Sequence, residues 1–273
     1  MGFLLGVLLP YSAFIVFFSG TVLRIGGWLK TPVPFQLTLF PVPGYTTGKI
    51  RALALDFIFC ASLYREDKAL WLRVWFFHLS LALIIAGHVA GIFYLRDQFV
   101  LVGLSEATSR FLSKLLGGIS GIVMMLSLGA LIAGRIVNPV VRKLSVPEDF
   151  FNLLLIAAIA VSGILMYLPG FHADLPAVRT YMGELIRLRP AALPHSPMFV
   201  IHFVLVNMLL LYFPFSRLLH FAGYFVNRSM LLENPPTYPT KEGASPRSTF
   251  ASVSVHADLQ DPGKDLMGKE GHP

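Results

Sequence analysis

The sequence contains one cysteine, Cys60, among 273 residues. That excludes an internal disulfide and any cluster of thiolate ligands supplied by this chain alone, so iron–sulfur chemistry, where present, belongs to a partner. Charge is also scarce: Asp, Glu, Lys and Arg make up 14% of the residues, against about 25% in ordinary soluble domains. No internal repeat is evident, which argues against an inverted-repeat transporter. The opening MGFLLG lacks a basic leader, and no small-residue cleavage pattern precedes Arg24 and Lys30. The first apolar stretch therefore reads as a retained helix and not a removed signal.

What the chain has instead is apolar length. Hydrophobic residues are 55% of the total and the mean hydropathy is +0.67, values that suit an integral membrane protein. Five stretches reach the roughly 20 residues that a helix needs to cross a bilayer, approximately residues 3–25, 70–95, 111–134, 149–168 and 197–220. The expected fold is all-α, a bundle of five transmembrane helices occupying residues 1–225.

Between the first two spans, TPVPFQLTLFPVPGYTTG (31–48) carries four prolines and two glycines, which predicts an irregular loop. IRALALDFIFCASLY (50–64) is too short to span and reads as a helix along the membrane interface. A short helix around residues 177–188, bracketed by Pro176 and Pro190, is expected to cap the opposite end. Residues 226–273 read as a polar, disordered cytoplasmic tail.

The net charge of +7 reflects orientation and not nucleic acid, because the basic residues flank the apolar stretches without forming a patch. Sixteen lie in the segments Arg24–Arg73, Arg135–Lys143 and Arg217 onward, and six in the alternate loops. The positive-inside rule then places the N-terminus outside and the C-terminus in the cytoplasm of the plasma or inner membrane.

Within two of the most apolar stretches stand four histidines, His78, His88, His202 and His220. An imidazole inside a bilayer needs a partner. Low-spin haem iron takes two imidazoles from opposite faces of the porphyrin, and two facing helices supply them. His78 and His88 are separated by about 15 Å along a helix; His202 and His220, about 27 Å apart and on one face of an ideal helix, have Pro214 between them to kink or end it. Antiparallel spans pair His78 with His220 near the cytoplasmic side and His88 with His202 near the outer side. Gly87 and Gly91 leave room beside His88, and Gly117, Gly118 and Gly121 either do likewise or let helices pack closely. Arg217 reads as a propionate partner or as an arginine setting topology. Trp71, Trp75, Phe76 and Phe77 suit an interfacial belt and packing at a haem edge, while His172, His195, His256 and His272 read as solvated. The competing reading of the four membrane histidines is a proton relay or transporter site.

The strings FFHLSLALIIAGHVAG (76–91), IHFVLVNMLLLYFPFSRLLH (201–220) and LLGGISGI (115–122) resemble the second, fifth and third helices of the respiratory nitrate reductase gamma subunit, a dihaem membrane cytochrome b. The first span, followed by WLKTPVPF (28–35), is similar to the cytochrome b subunits of sulfite-reduction and heterodisulfide-reductase-like complexes in the same superfamily. The resemblance implies two haems b ligated by His78, His88, His202 and His220, and exchange of electrons between membrane quinone or menaquinol and a cytoplasmic iron–sulfur subunit. It also implies a quinol site near the outer haem, around Gly87 and His88. Where that family carries a lysine ahead of the third helix, this chain has Ser109 and Arg110, which makes Arg110 the candidate quinone residue there.

Overall fold

The computed structural model describes residues 2–30, 46–94 and 97–231. The Pro-rich loop at 31–45, Arg96, and the tail from 232 with His256 and His272 lie outside the described residues. The described elements are helices throughout, and five are long and apolar enough to cross a membrane: Leu4–Lys30, Lys68–Ile92, Glu106–Val137, Pro147–Leu165 and Pro197–Phe215. The chain is a multi-pass membrane protein.

In chain order the elements are α1 (Leu9–Lys30, continuing from a π-helical turn at Leu4–Leu8), α2 (Thr46–Phe59), α3 (Ala61–Glu66), α4 (Lys68–His88), α5 (Glu106–Val137), α6 (Pro139–Leu144), α7 (Pro147–Leu165), α8 (Leu175–Ile186), α9 (Pro197–Tyr212) and α10 (His220–Leu231). Side-chain caps mark the starts of several. Asp67 accepts from Leu70 N at 2.9 Å, Ser105 from Thr108 N at 3.2 Å, and Asn138 from the amides of Val140 and Val141. Pro sits in the first turn of α6, α7, α8 and α9, where its missing N–H costs nothing.

Three departures from the sequence reading stand out. The stretch at 50–64 is two helices, broken at Cys60, whose φ of 47° is left-handed. The third span is longer than 111–134, because Ser105 caps it a turn and a half earlier. Most consequentially, 197–220 is not one helix. The α-helix stops at Tyr212, two short 3-10 turns carry Phe213–Phe215 and Arg217–Leu219, and α10 starts at His220. Pro214 cannot donate into a continuing helix and breaks it, so the same-face argument for His202 and His220 on one ideal helix does not hold.

α4, α5 and α7 share a core of Phe77, Met124, Leu128, Ile156 and Ala160. Gly117 and Gly121 of α5 lie directly under Tyr167 and Ile164, so the third-span glycines serve close helix packing. A second cluster joins α8 to α9 through Val178, Tyr181, Leu185, Phe199 and Phe203. Tyr181 donates to Gly6 O at 2.6 Å and Tyr11 to Leu185 O at 3.0 Å, so α8 does cap this end of the bundle. Burial raises the Tyr181 hydroxyl above its ordinary pKa, with Tyr11 adding to the shift, and keeps it a donor. Large apolar side chains such as Phe14, Phe18, Leu23, Leu83 and Leu126 point outward, as expected where lipid replaces water as solvent.

The other end of the bundle is the basic one. There Trp71 Nε1 donates to Phe59 O at 2.7 Å and Trp75 Nε1 to Ile58 O at 3.1 Å. The two indoles expected in an interfacial belt thus take the terminal carbonyls of α2 and hold that short helix against α4.

Candidate paired-histidine site

α4 runs away from the basic end and α9–α10 runs back toward it, and the four histidines meet in two pairs. The rings of His78 and His220 have centroids 5.9 Å apart, and those of His88 and His202 are 6.3 Å apart. These are the two cross-helix pairs expected from chain direction. The break at Pro214 puts the two histidines of this segment on separate helices, His202 within α9 and His220 at the first residue of α10.

Every Nδ1 of the four has a carbonyl partner. His78 Nδ1 lies 2.8 Å from Val74 O, His88 Nδ1 2.7 Å from Ile84 O, His202 Nδ1 3.1 Å from Ile159 O, and His220 Nδ1 3.2 Å from Arg217 O. A carbonyl oxygen only accepts, so each Nδ1 carries a proton, and in the neutral ring Nε2 is the nitrogen left with a lone pair. Ser162 completes the arrangement at His202: its hydroxyl donates to Ile159 O at 2.8 Å and stands 3.0 Å from Nδ1. A hydrogen bond from the distal nitrogen to a carbonyl is the outer-shell device that orients metal-bound imidazoles.

The fit to a bis-imidazole metal can be tested on distance. Two imidazole–metal bonds of about 2 Å, with ring centres about 1 Å behind the bonding nitrogens, set the centroids about 6 Å apart. Both observed separations agree. Among the described residues no group of three or more His, Cys, Asp or Glu that could hold a metal ion is assembled.

The surroundings of each pair differ. At the basic end, Arg217 turns to α7: its guanidinium lies 3.3 Å from Asp149 and 3.7 Å from Glu148, and its backbone N donates to Glu148 at 2.9 Å. The side chain is still 58% exposed and, with Arg24, Trp28, Tyr224 and His220, lines a cavity of about 440 Å³. At the far end, a π-helical stretch, Val89–Tyr94, follows His88, a feature often found at functional sites. Arg179 of α8 donates from Nε to Gly91 O at 2.9 Å and secures that stretch. Gly87 opens onto space, with nothing within 4 Å of where a Cβ would be. Arg110 pairs with Glu106 one turn back, both exposed.

Several contributors were not read from the sequence. A Cβ on Gly163 would lie 3.4 Å from His202 Cε1, so Ser162 and Gly163 together shape this imidazole's seat. Their only signal was a Ser-Gly pair inside an apolar helix. Lys114 and Tyr167, with Phe111, Gly118 and Ile122, line a second cavity of about 460 Å³ between α5 and the turn after α7, and burial raises the Tyr167 hydroxyl above its usual pKa.

Fold and site together define a class: a multi-pass α-helical membrane bundle with two paired-imidazole positions stacked along its axis. The chain belongs to the nitrate reductase gamma subunit family, whose model matches residues 53–234. It is 28% identical over 272 residues to a protein of Archaeoglobus fulgidus described as an Hdr-like menaquinol oxidoreductase cytochrome b-like subunit, the alignment covering 86% of this chain and 81% of that one. A protein of the same description from Archaeoglobus profundus is 27% identical, covering 83% and 78%. The nitrate reductase gamma chain of Bacillus subtilis is 30% identical over 162 residues, 57% of this chain and 73% of that one.

Proposed function

We propose that this chain is the membrane cytochrome b subunit of a quinol-linked redox complex, holding two haems b through His78 with His220 and His88 with His202. The observation that carries the reading is the pair of centroid separations, 5.9 and 6.3 Å, with all four Nδ1 protons committed to carbonyls. Neutral imidazoles whose Nδ1 atoms are held on carbonyls keep Nε2 for a metal, whereas a relay needs those Nδ1 protons free to move on. Bound there, the haems would carry single electrons along the bundle axis. The protein's part is to fix both ligands of each pair, keep water away, and set potential through burial and the Nδ1 hydrogen bonds.

On this reading the basic end faces the cytoplasm, residues 1–225 form the haem-bearing unit, and the stretch from 226 is available to a soluble partner. Two of the relatives are named as subunits of a menaquinol oxidoreductase, and a quinol site at the outer end, around Gly87, His88 and Arg110, agrees with that. Gly87 leaves an opening there, and Arg110 supplies a cation at the same end of the bundle. The soluble partner proposed is an iron–sulfur protein docked on the cytoplasmic face. Arg217 is 58% exposed, lines the cavity beside His220 and is proposed to meet a haem carboxylate while staying on Asp149.

The direct test is an absorption spectrum of the purified, dithionite-reduced protein, which is expected to show b-type bands with two haems per chain. A protein that reconstitutes fully, moves protons or solute in liposomes and never binds haem would return the histidines to a relay.

A further inference from the structure

Phe17, Gly20, Arg24 and Trp28 fall at successive turns on one face of α1; the first three meet the broken stretch that delivers His220, and Trp28 meets α10 just after it. The Phe17 ring lies 5.3 Å from that of Phe213. A Cβ on Gly20 would lie 2.8 Å from Pro214 Cβ, so only glycine lets the two chains approach this closely. Arg24 Nη1 donates to Pro214 O at 2.5 Å and to Ser216 O at 3.1 Å. Trp28 sits under the Arg24 guanidinium, 5.6 Å from it, and packs 3.5 Å from where a Gly223 Cβ would stand. Other faces of α1, with Phe14, Ile15, Phe18, Val22 and Leu23, are exposed.

The physical logic is that of an interrupted helix in hydrocarbon. Leaving the α-helix at Tyr212 strips the carbonyls that follow of helical partners, and in a bilayer such groups need a donor from elsewhere. One guanidinium serves two of them and so fixes Pro214 relative to Ser216. Ser216 in turn caps the next turn by accepting from Leu218 N at 3.1 Å. His220 follows directly, with its Nδ1 on Arg217 O. Every link from α1 to the imidazole is a short contact.

We infer that this face of α1 is a positioning device for His220, with Arg24 the positioning residue, and that through it the first span sets the ligation strength of the inner pair. The inference rests on the haem reading above. α1 lies wholly outside the residues that match the family model, so membership of the family does not assign it this role.

The test uses the full-length protein, loaded with haem b, in a His202→Ala background that leaves only the inner pair and in the two-haem parent. Arg24→Met and Gly20→Leu are expected to weaken retention of the inner haem about tenfold, the scale of an outer-shell loss at a metal ligand, and to shift its midpoint in redox titration. Arg24→Lys is expected to restore part of the retention, and in the two-haem parent the outer centre should keep its potential. Gly20→Leu is the bulkier change; the Arg24 series reads the same contact without a steric demand. Inner-haem retention and midpoint unchanged in both Arg24→Met and Gly20→Leu would overturn the inference, as would equal loss at both centres, which marks general destabilisation. A parent without haem sinks the haem reading itself; a two-haem parent indifferent to Arg24 sinks this inference alone.

Discussion

Each of the four histidines is held by a carbonyl of its own or a neighbouring helix, and this makes single-residue consequences specific. Because His88 and His202 face each other, His88→Ala and His202→Ala are each expected to remove the same haem and spare the other. Difference spectra of the two variants should therefore superimpose, and non-superimposable spectra would show the pairing to be wrong. Gly163 offers a sharper probe, since it touches His202 without being a ligand. Gly163→Leu should displace that imidazole and empty the outer site, whereas Gly129→Leu, with nothing within 4 Å, should leave both centres intact. Pigment quantification of the two purified variants checks this. None of this second layer was legible from composition. A glycine in an apolar helix has many uses, and only the neighbour across the interface tells which.

At the level of elements, the helices show themselves through caps and apolar length, and their interruptions show themselves only in part. Pro214 marked a kink from its chemistry alone, but the extent of the break, from Tyr212 to His220, depends on α1 supplying Arg24 and on Ser216 turning its hydroxyl back. The π-helical stretch after His88 has no proline to announce it; its carbonyl at Gly91 is met by Arg179, far along the chain. α2 illustrates the same dependence. Trp71→Phe and Trp75→Phe each delete one hydrogen bond to its end, worth about 1 kcal/mol. The double variant is expected to loosen α2 and speed proteolysis between Thr46 and Glu66 while haem content stays unchanged.

For the molecule as a whole, the excess of Lys and Arg at one end predicts that this end is cytoplasmic. Leu101, in the 3-10 turn before α5, and Leu144, the last residue of α6, lie beyond opposite ends of α5 and are 72% and 75% exposed. In a Cys60→Ser background, Leu101→Cys should react with an impermeant thiol reagent added outside intact cells. Leu144→Cys should react only after the membrane is opened, and the reverse pattern would invert the orientation and the proposed side for the soluble partner. The native Cys60 is a poor reporter, because burial and the nearby Asp56 push its thiol pKa up and keep the thiolate scarce.

By itself the sequence determined the all-α membrane class, the number of spans, and the partnering of the histidines. Hydrophobic length, basic flanks and chain direction are one-dimensional quantities, and an antiparallel pair of helices maps order along the chain onto depth in the bilayer. The tertiary structure decided what needs a third dimension. It set how far the break before His220 extends, which carbonyl holds each imidazole, that Ser162 and Gly163 seat His202, and that α1 carries an arginine to the interrupted helix. Those depend on which faces meet, and in a bilayer nearly every face is apolar, so hydrophobic patterning no longer distinguishes the side that packs from the side that lipid covers.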